Sequence, residues 1–328
     1  MINRVEIKNF KSIRHLELPC KRVNVFIGKP NTGKSNILEA LGIYSYSCYS
    51  PYAELREFVR FQRTSNLFYD ELVNEYVVIA LNGHSLGIEF GQGQFVGKLS
   101  KDDHLLIQLQ GDYRNLNVST VIGKAQELLL PIKFYKFAPI EKFDRMESEF
   151  LLPPHGRNLL SLLLTNRELR ELAKQLFSEF GLRLVLEPQE SIIKVQKQSE
   201  DLIVSYPYSL TSDTLLRVVF HLSAIASNKD SIIVFEEPEA HAFPYYTKYL
   251  AEKIAFDPRQ NQYFISTHNP YFLLPILEQV KAENLGVFVT YYDNYQTKVK
   301  SLKETDLELL LSMNVDLFFD LERFIGKR

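Results

Sequence analysis

The chain has 328 residues, of which 45% are hydrophobic and 24% are charged, a balance that favours a folded soluble protein over a disordered one. Its formal net charge of −2 excludes a protein that is basic overall, although a local basic patch stays open. No apolar run reaches the roughly 18 residues of a membrane span, no signal peptide is recognisable, and two cysteines, Cys20 and Cys48, form no disulfide framework. We therefore expect a cytoplasmic protein with no membrane partner.

The N-terminal segment predicts three strands and the start of a helix. Val5 and Ile7 alternate with polar residues, as do Leu16 and Leu18, which is typical of half-buried strands. Residues 23–27 are more continuously apolar and predict a central strand that is covered on both faces.

The middle of the chain, residues 46–200, predicts a mixed α/β insertion. A β-meander is expected at about 76–110, where Asn82-Gly83 is a strong hairpin signal. Leucines at helical spacing predict a helix at about 158–180, which Gly181 ends. Short strands follow near 182–187, 191–197 and 202–206.

The C-terminal part returns to alternating strands and helices. A helix is predicted over 212–227, and strands are predicted at 232–235, 263–266 and 286–292. We expect one α/β domain over residues 1–328, with its core in 1–45 and 201–300 and a helical tail in 301–328.

A phosphate-binding loop is the most specific motif in the sequence. Residues 28–35 read GxxxxGK[ST], directly after an apolar strand and directly before an amphipathic helix. Its glycines allow backbone N–H groups to approach phosphate oxygens, and the helix N-terminus attracts the same anion. Lys34 is expected to neutralise the β- and γ-phosphates of ATP, and Ser35 to bind Mg²⁺. The candidate nucleotide-binding residues are Gly28, Lys29, Pro30, Asn31, Thr32, Gly33, Lys34, Ser35 and Asn36.

Two carboxylates end the predicted strand at 232–235. Charged residues at the end of a buried strand favour a bound cation, and here Glu236 is predicted to hold Mg²⁺. Glu237 is predicted to orient the water that attacks the γ-phosphate. The alternative is a strand end that is simply solvated.

A polar cluster follows the strand at 263–266, and it contains His268. This histidine is a candidate for contact with the γ-phosphate, so that it would report phosphate loss. The alternative is a histidine with a purely structural hydrogen bond.

The three motifs together resemble those of ABC ATPases, and more closely the branch that holds RecF-like, SMC-like and OLD-family ATPases. The N-terminal segments Val5–Ser12 and Gly28–Asn36 resemble that branch, Glu236–His241 is similar to the OLD-type acidic motif, and Ser266–Pro270 to its histidine switch. The resemblance implies an ABC-ATPase head, with a P-loop core sheet, an N-terminal antiparallel β subdomain and a mixed α/β insertion. It also implies that Asn9, Lys11 and Ser12 lie near the nucleotide.

The same resemblance implies a homodimer or higher oligomer, in which each ATP lies between one P-loop and the partner's signature motif. The candidate signature segment, Ser209–Arg217, contains no glycine. Asp213 would be repelled by phosphate, so Ser212 is the better candidate for the contact. The alternative is an ordinary helix start with Ser212 or Asp213 as its N-cap.

The leading hypothesis is a regulatory ATPase that controls a separate effector, a nuclease or a toxin, in a defence or toxin–antitoxin module. OLD nucleases continue into a Toprim domain that needs an Asp-x-Asp cluster. This sequence stops soon after residues 317–321 without one, so we expect the ATPase part alone.

Three alternatives stay open. One is a RecF-like repair ATPase that binds DNA through the basic residues Lys8, Lys11, Arg14, Lys21 and Arg22. The other explanation of these residues is that they lie on ordinary solvated strand faces. Another is an ATP-binding scaffold with little turnover. A transporter subunit is disfavoured by the missing signature glycine. Arg56, Arg60 and Arg63 are candidates for a partner or nucleic-acid surface, and the alternative is a solvated helix.

Overall fold

The computed structural model describes residues 1–199, 201–313 and 318–326. In these residues the strands are β1 (Arg4–Phe10), β2 (Ile13–Pro19), β3 (Val23–Gly28), β4 (Val77–Leu81), β5 (His84–Gly91), β6 (Gln94–Lys101), β7 (His104–Gly111), β8 (Leu116–Val121), β9 (Ile132–Tyr135), β10 (Leu182–Glu187), β11 (Ile192–Ser199), β12 (Leu202–Pro207), β13 (Ile232–Glu236), β14 (Gln262–Ser266), β15 (Leu285–Asp293) and β16 (Gln296–Ser301). The α-helices are α1 (Lys34–Tyr49), α2 (Leu55–Phe58), α3 (Ala125–Leu128), α4 (Leu159–Thr165), α5 (Arg167–Ser178), α6 (Asp213–Ser227), α7 (Pro244–Ala255), α8 (Pro270–Gln279), α9 (Glu304–Met313) and α10 (Glu322–Ile325).

The central sheet has the strand order β16-β15-β3-β14-β13-β9, with β16 antiparallel and the other strands parallel. Strand β3 is buried along its whole length, as its continuous apolar run predicts. Val23, Val25 and Ile27 face one hydrophobic core, and Phe26 between them faces the other. The carboxyl ends of the parallel strands β3, β13 and β14 therefore gather their following loops at one edge of the sheet.

A seven-stranded antiparallel sheet covers one side, in the order β2-β1-β4-β5-β6-β7-β8. Asn82 and Gly83 form its two-residue β4–β5 turn with φ values of 45° and 82°, so the turn is of the left-handed kind that this dipeptide favours. Helix α1 places Ile37, Leu38 and Leu41 in the core that this sheet shares with the central one. The helix that follows the phosphate loop is thus fixed on two sides.

Helices α4 to α8 cover the other face of the central sheet, together with the small antiparallel sheet β10-β11-β12. The helix expected at 158–180 is two helices, α4 and α5, that meet at Asn166. Asn166 has φ −102° and ψ 108°, and its side chain accepts a hydrogen bond from the Leu169 N–H at 3.1 Å. An asparagine that caps a helix start interrupts the helix before it, which explains the difference.

Three features differ from the predicted domain plan. Strand β9 lies inside the expected insertion, yet it pairs with β13 as the edge strand of the central sheet. The β-meander also continues the sheet of β1 and β2 through the β1–β4 pairing, so it is not a separate insertion. The expected tail is preceded by an unpredicted strand, β16, and then contains α9 and α10; Leu317 lies outside the described residues.

Candidate functional site

The loop between β3 and α1 has the backbone form that a phosphate cradle needs. Gly33 has φ 93°, a conformation that residues with a side chain rarely adopt. A Cβ atom on Gly33 would lie 2.0 Å from Thr297 Oγ1, so a larger residue does not fit. The first N–H groups of α1, from Lys34 onward, have no partner within the helix and are available to an anion.

The last strands of the sheet brace this loop from behind. Thr32 Oγ1 donates to Lys29 O at 2.8 Å and lies 2.6 Å from Thr290 Oγ1 on β15. Thr297 on β16 packs against Gly33, and its hydroxyl lies 2.6 Å from Ser12 Oγ. Thr297 was not predicted as part of the site, because its strand β16 was not predicted, and Thr290 was missed although its strand β15 was expected.

Lys34 points into the cradle formed by its own loop. Its Nζ donates to Gly28 O at 2.7 Å and to Lys29 O at 3.0 Å. Burial lowers the pKa of Lys34, and the negative charges of Glu237 and Glu236 oppose that shift. In the described part of the chain no carboxylate oxygen lies within 4.0 Å of Nζ, so its charge is balanced only from a distance.

The two glutamates lie at the end of β13, beside the end of β14. Glu236 is opposite Ser266 in the parallel pair, and its side chain is 16% exposed. Glu237 has φ 45°, and its N–H donates to Ser266 O at 3.0 Å. This left-handed residue turns the chain away from the strand, so the two neighbouring carboxylates occupy different positions at the site.

The histidine of the third motif meets the second glutamate. His268 Nδ1 lies 3.1 Å from Glu237 Oε1, and both side chains are accessible, at 62% and 38%. Lys34, Glu236, Glu237 and His268 therefore belong to one cluster at the carboxyl edge of the central sheet.

A buried carboxyl group joins the loops that carry these residues. Glu239 is 3% exposed, and its Oε1 accepts a hydrogen bond from Thr267 Oγ1 at 2.5 Å. Burial raises the pKa of Glu239 to about 7, and its Oε2 has no hydrogen-bond partner. The contact fixes the loop after Glu237 against the loop that contains His268.

The residues expected near the nucleotide by resemblance divide into two groups. Ser12 Oγ accepts a hydrogen bond from Asn36 Nδ2 at 2.6 Å, so Ser12 adjoins the start of α1. Lys11 instead forms an ion pair with Glu39, a buried residue one turn further along α1. Asn9 donates to the carbonyl oxygen of Tyr76 at 3.1 Å, directly before β4 of the antiparallel sheet.

Arg60 is a site residue whose position was not predicted from the sequence. Its Nε lies 2.6 Å from Glu39 Oε1, and its Nη2 lies 3.3 Å from Glu236 Oε1. It therefore differs from Arg56, which donates to the carbonyl oxygens of Gln62 and Arg114. Three arginines at a spacing of three to four residues gave no signal that one of them reaches the acidic strand.

The candidate signature segment lies at the start of α6. Ser212 is the N-cap residue of this helix but makes no side-chain capping bond, and Asp213 Oδ2 accepts from Arg217 Nε at 2.7 Å. Thr214 Oγ1 donates to His241 O at 2.8 Å, which ties the helix to the loop after Glu237. In the described residues no hydrogen bond joins Ser212 to residues 28–36 of the same chain.

The donor set fits Mg²⁺ that is bound together with a phosphate group. No cluster of three or more His, Cys, Asp or Glu side chains occurs among the described residues, so the protein part builds no closed metal cage. Mg²⁺ commonly uses one or two carboxylates and takes its other ligands from water and substrate phosphates. Ser35 beside the cradle and Glu236 at the strand end provide this incomplete set.

The basic residues considered for DNA binding are mostly engaged within the fold. Lys8 lies 2.7 Å from Glu6, Lys21 donates to Ala282 O at 2.6 Å, and Arg22 donates to Ala255 O at 2.8 Å. These contacts favour the interpretation as ordinary strand faces. The helices of the described ranges include none that is long and apolar enough for a membrane span.

Comparison with known proteins agrees with this architecture. Residues 1–81 match a family described as an AAA ATPase domain. Among solved structures, the SmcHead bound to the C-winged helix domain of ScpA has a TM-score of 0.54 at 16% identity, covering 94% of this chain and 99% of the other. The Smc head domain bound to the C-terminal domain of ScpA from Pyrococcus furiosus has a TM-score of 0.53 at 13% identity, covering 95% and 99%. No curated protein matches the chain.

At these identities the structural likeness concerns the fold, and the N-terminal family match covers the segment with the phosphate-loop motif. The matched residues 1–81 contain β3, helix α1 and the strands β1, β2 and β4 of the antiparallel sheet. The chain thus has the fold of the SMC heads, and its residues 1–81 match an AAA ATPase domain.

Proposed function

We propose that this protein binds ATP with Mg²⁺ and hydrolyses it. The observation that carries the proposal is the cluster of Lys34, Glu236, Glu237 and His268 beside a glycine-dependent phosphate loop. A structural ion-pair cluster would not need a lysine whose amine points at its own loop carbonyls. A triphosphate would replace those carbonyl contacts with charged oxygens.

Each residue has a role in this proposal. The N–H groups of residues 29–35 and Lys34 bind the phosphates, while Ser35 and Glu236 hold Mg²⁺, whose chemistry is to neutralise phosphate charge. Glu237 accepts a proton from the attacking water and orients it. His268 is held by Glu237, so a change at the γ-phosphate would alter a contact that His268 already makes.

We propose that the protein is an OLD/RecF-like regulatory ATPase. It would be located in the cytoplasm and would act on a separate effector protein. The Smc heads named above are bound to domains of another protein, ScpA, so this head fold can engage a separate chain. We further propose a homodimer in which Ser212, free of a capping bond, contacts the nucleotide of the partner subunit.

The catalytic part is tested by Glu237→Gln, with Glu278→Gln on the exposed surface of α8 as the matched control. Loss of a general base lowers turnover by about 10²–10⁴-fold. We expect this loss in phosphate release, with binding of fluorescent ATP retained. Unchanged turnover in Glu237→Gln would remove the proposed base, whereas little or no turnover in the parent protein would favour the scaffold alternative.

The partner proposal is tested by the mass of the native complex, purified from its own host with and without ATP. We expect a dimer or larger assembly that contains a second kind of chain. A monomer under both conditions would contradict the dimer and the effector together.

A further inference from the structure

A buried carboxylate on α1 holds two cations from distant parts of the chain. Glu39 is 2% exposed and forms an ion pair with Lys11, which follows β1. Its Oε1 also lies 2.6 Å from Arg60 Nε and accepts the backbone N–H of Arg60 at 3.3 Å. Glu39 thus fixes both the side chain and the backbone of Arg60.

Lys11 strengthens the same arrangement from the other side. Its Nζ donates to the carbonyl oxygen of Arg60 at 2.6 Å, in addition to its pairing with Glu39. Only 11% of the Lys11 side chain is exposed, so neither of these contacts is made in open solvent. The Arg60 backbone is consequently held at its N–H and at its C=O by one ion pair.

The free end of Arg60 reaches the metal-binding strand. Its Nη2 lies 3.3 Å from Glu236 Oε1, while its Nε stays on Glu39. One guanidinium group can bridge two carboxylates because its donors form a planar fork. Arg60 therefore forms an ion pair with the same carboxylate that is proposed to bind Mg²⁺.

We propose that Arg60, positioned by Glu39, is the counter-ion of Glu236 in the nucleotide-free protein and leaves it when the metal binds. This inference rests on the proposed function only for the identity of the metal. The Glu236 side chain is only 16% exposed, so a nearby cation stabilises its negative charge when the metal is absent. A divalent ion and the Nη2 group compete for the same oxygen, whereas the Nε contact with Glu39 can persist. Glu39 is accordingly a positioning residue that tunes metal affinity through Arg60.

The first test uses Mn²⁺ alone as the probe, without nucleotide, and measures free Mn²⁺ by electron paramagnetic resonance. Arg60→Ala removes the competing cation, so we expect its Mn²⁺ affinity to rise roughly threefold, the size expected of a partly exposed ion pair. Arg63→Ala, an exposed arginine close by in the chain, is the matched control and should bind Mn²⁺ like the parent protein. Equal affinity in all three proteins would overturn the proposal, and so would weaker binding in Arg60→Ala.

The second test asks whether Glu39 acts through Arg60. Glu39→Gln should also tighten Mn²⁺ binding, and the double variant with Arg60→Ala should bind no more tightly than Arg60→Ala alone. Additive effects would refute the positioning role. Since Glu39→Gln leaves Lys11 without its partner, its fold is checked by circular dichroism, and Arg60→Ala decides the proposal if the fold is lost.

A third measurement separates this inference from the proposed function. If the parent protein hydrolyses ATP, the Mg²⁺ concentration for half-maximal turnover should fall in Arg60→Ala, and an unchanged value would count against the exchange. If it hydrolyses none, the ATPase proposal fails, while the Mn²⁺ affinities still decide whether Arg60 and the metal compete.

Discussion

The buried Lys133 predicts an unusual dependence of folding stability on pH. This lysine on β9 is 5% exposed; its Nζ donates to Asn228 Oδ1 and to Ser231 Oγ and lies 3.5 Å from the ring centre of Phe150. Burial lowers the pKa of Lys133 to about 7. The perturbation is Lys133→Met, which keeps the length of the side chain and removes its charge.

The size of the effect follows from that pKa. The fall from 10.5 to about 7 corresponds to a penalty of about 5 kcal/mol when the charge must be buried, at 1.36 kcal/mol per pH unit. Between these values the unfolded chain holds a proton that the folded chain lacks, so stability rises with pH. Below about pH 7 the penalty is complete, and above about pH 10.5 it vanishes.

Urea unfolding at about pH 7.5 and pH 8.5 measures this slope. Over that interval Lys133 should contribute about 1 kcal/mol of added stability to the parent protein, which Lys133→Met should lack. The interval ends below the range in which the buried thiols of Cys20 and Cys48, with pKa values raised to about 12, would reverse the slope. Lys124→Met, whose side chain is 82% exposed, should keep the parent slope. Identical slopes in all three proteins would refute a neutral buried lysine.

Two further predictions concern the phosphate loop and the core. Gly33→Ala should weaken ATP binding more than tenfold, since backbone strain of about 1–3 kcal/mol at positive φ adds to the clash with Thr297. Titration with fluorescent ATP measures the affinity, and Gly123→Ala, at φ 53° in open space, is the control. Equal affinities in the two variants would contradict the role of Gly33 in the phosphate cradle. Asn158→Ala should lower the free energy of unfolding by about 1–3 kcal/mol, because its fully buried amide bonds two backbone groups of the preceding loop. Urea midpoints should show no such loss for exposed Asn115→Ala, and an unchanged midpoint in Asn158→Ala would count against this account.

Local patterns explain why much of the central sheet could be predicted. Strands β3, β13 and β14 are short apolar runs that end in polar loops, and burial on both faces requires that pattern. The α6 helix and the start of α7 at Pro244 also follow local rules. These predictions needed only neighbours in sequence, and the structure agrees with them.

The missed strands have compositions that hide their burial. Strand β9 reads IKFY. Its lysine, Lys133, can be buried because the side chains of Asn228 and Ser231 accept its hydrogen bonds. Strand β16 reads QTKVKS and resembles a solvated segment, although Thr297 is fully buried against the phosphate loop. Strand β9 depends on Asn228, which is 95 residues away, and the contact of Thr297 with Ser12 spans 285 residues, so no local pattern reveals these contacts, although β16 itself pairs with the adjacent β15.

The acidic and basic contacts of the site were out of reach for the same reason. Arg60 and Glu236 are 176 residues apart in the chain, and Lys11 and Glu39 are 28 apart. The sequence does not show whether a charged side chain faces solvent or forms an ion pair, because that depends on the fold. The split at Asn166, by contrast, carried a signal, because asparagine is a preferred N-cap.

The contact of Thr297 with Gly33 has a consequence for synthesis on the ribosome. The loop at residues 28–35 is braced by β16 at residues 296–301, which is translated much later. The nascent polypeptide can assemble much of its antiparallel sheet early, but its phosphate cradle is finished only when β16 has emerged. A ligand stabilises only the states that can bind it, so nucleotide would protect the released protein against degradation without assisting the earlier steps of its folding.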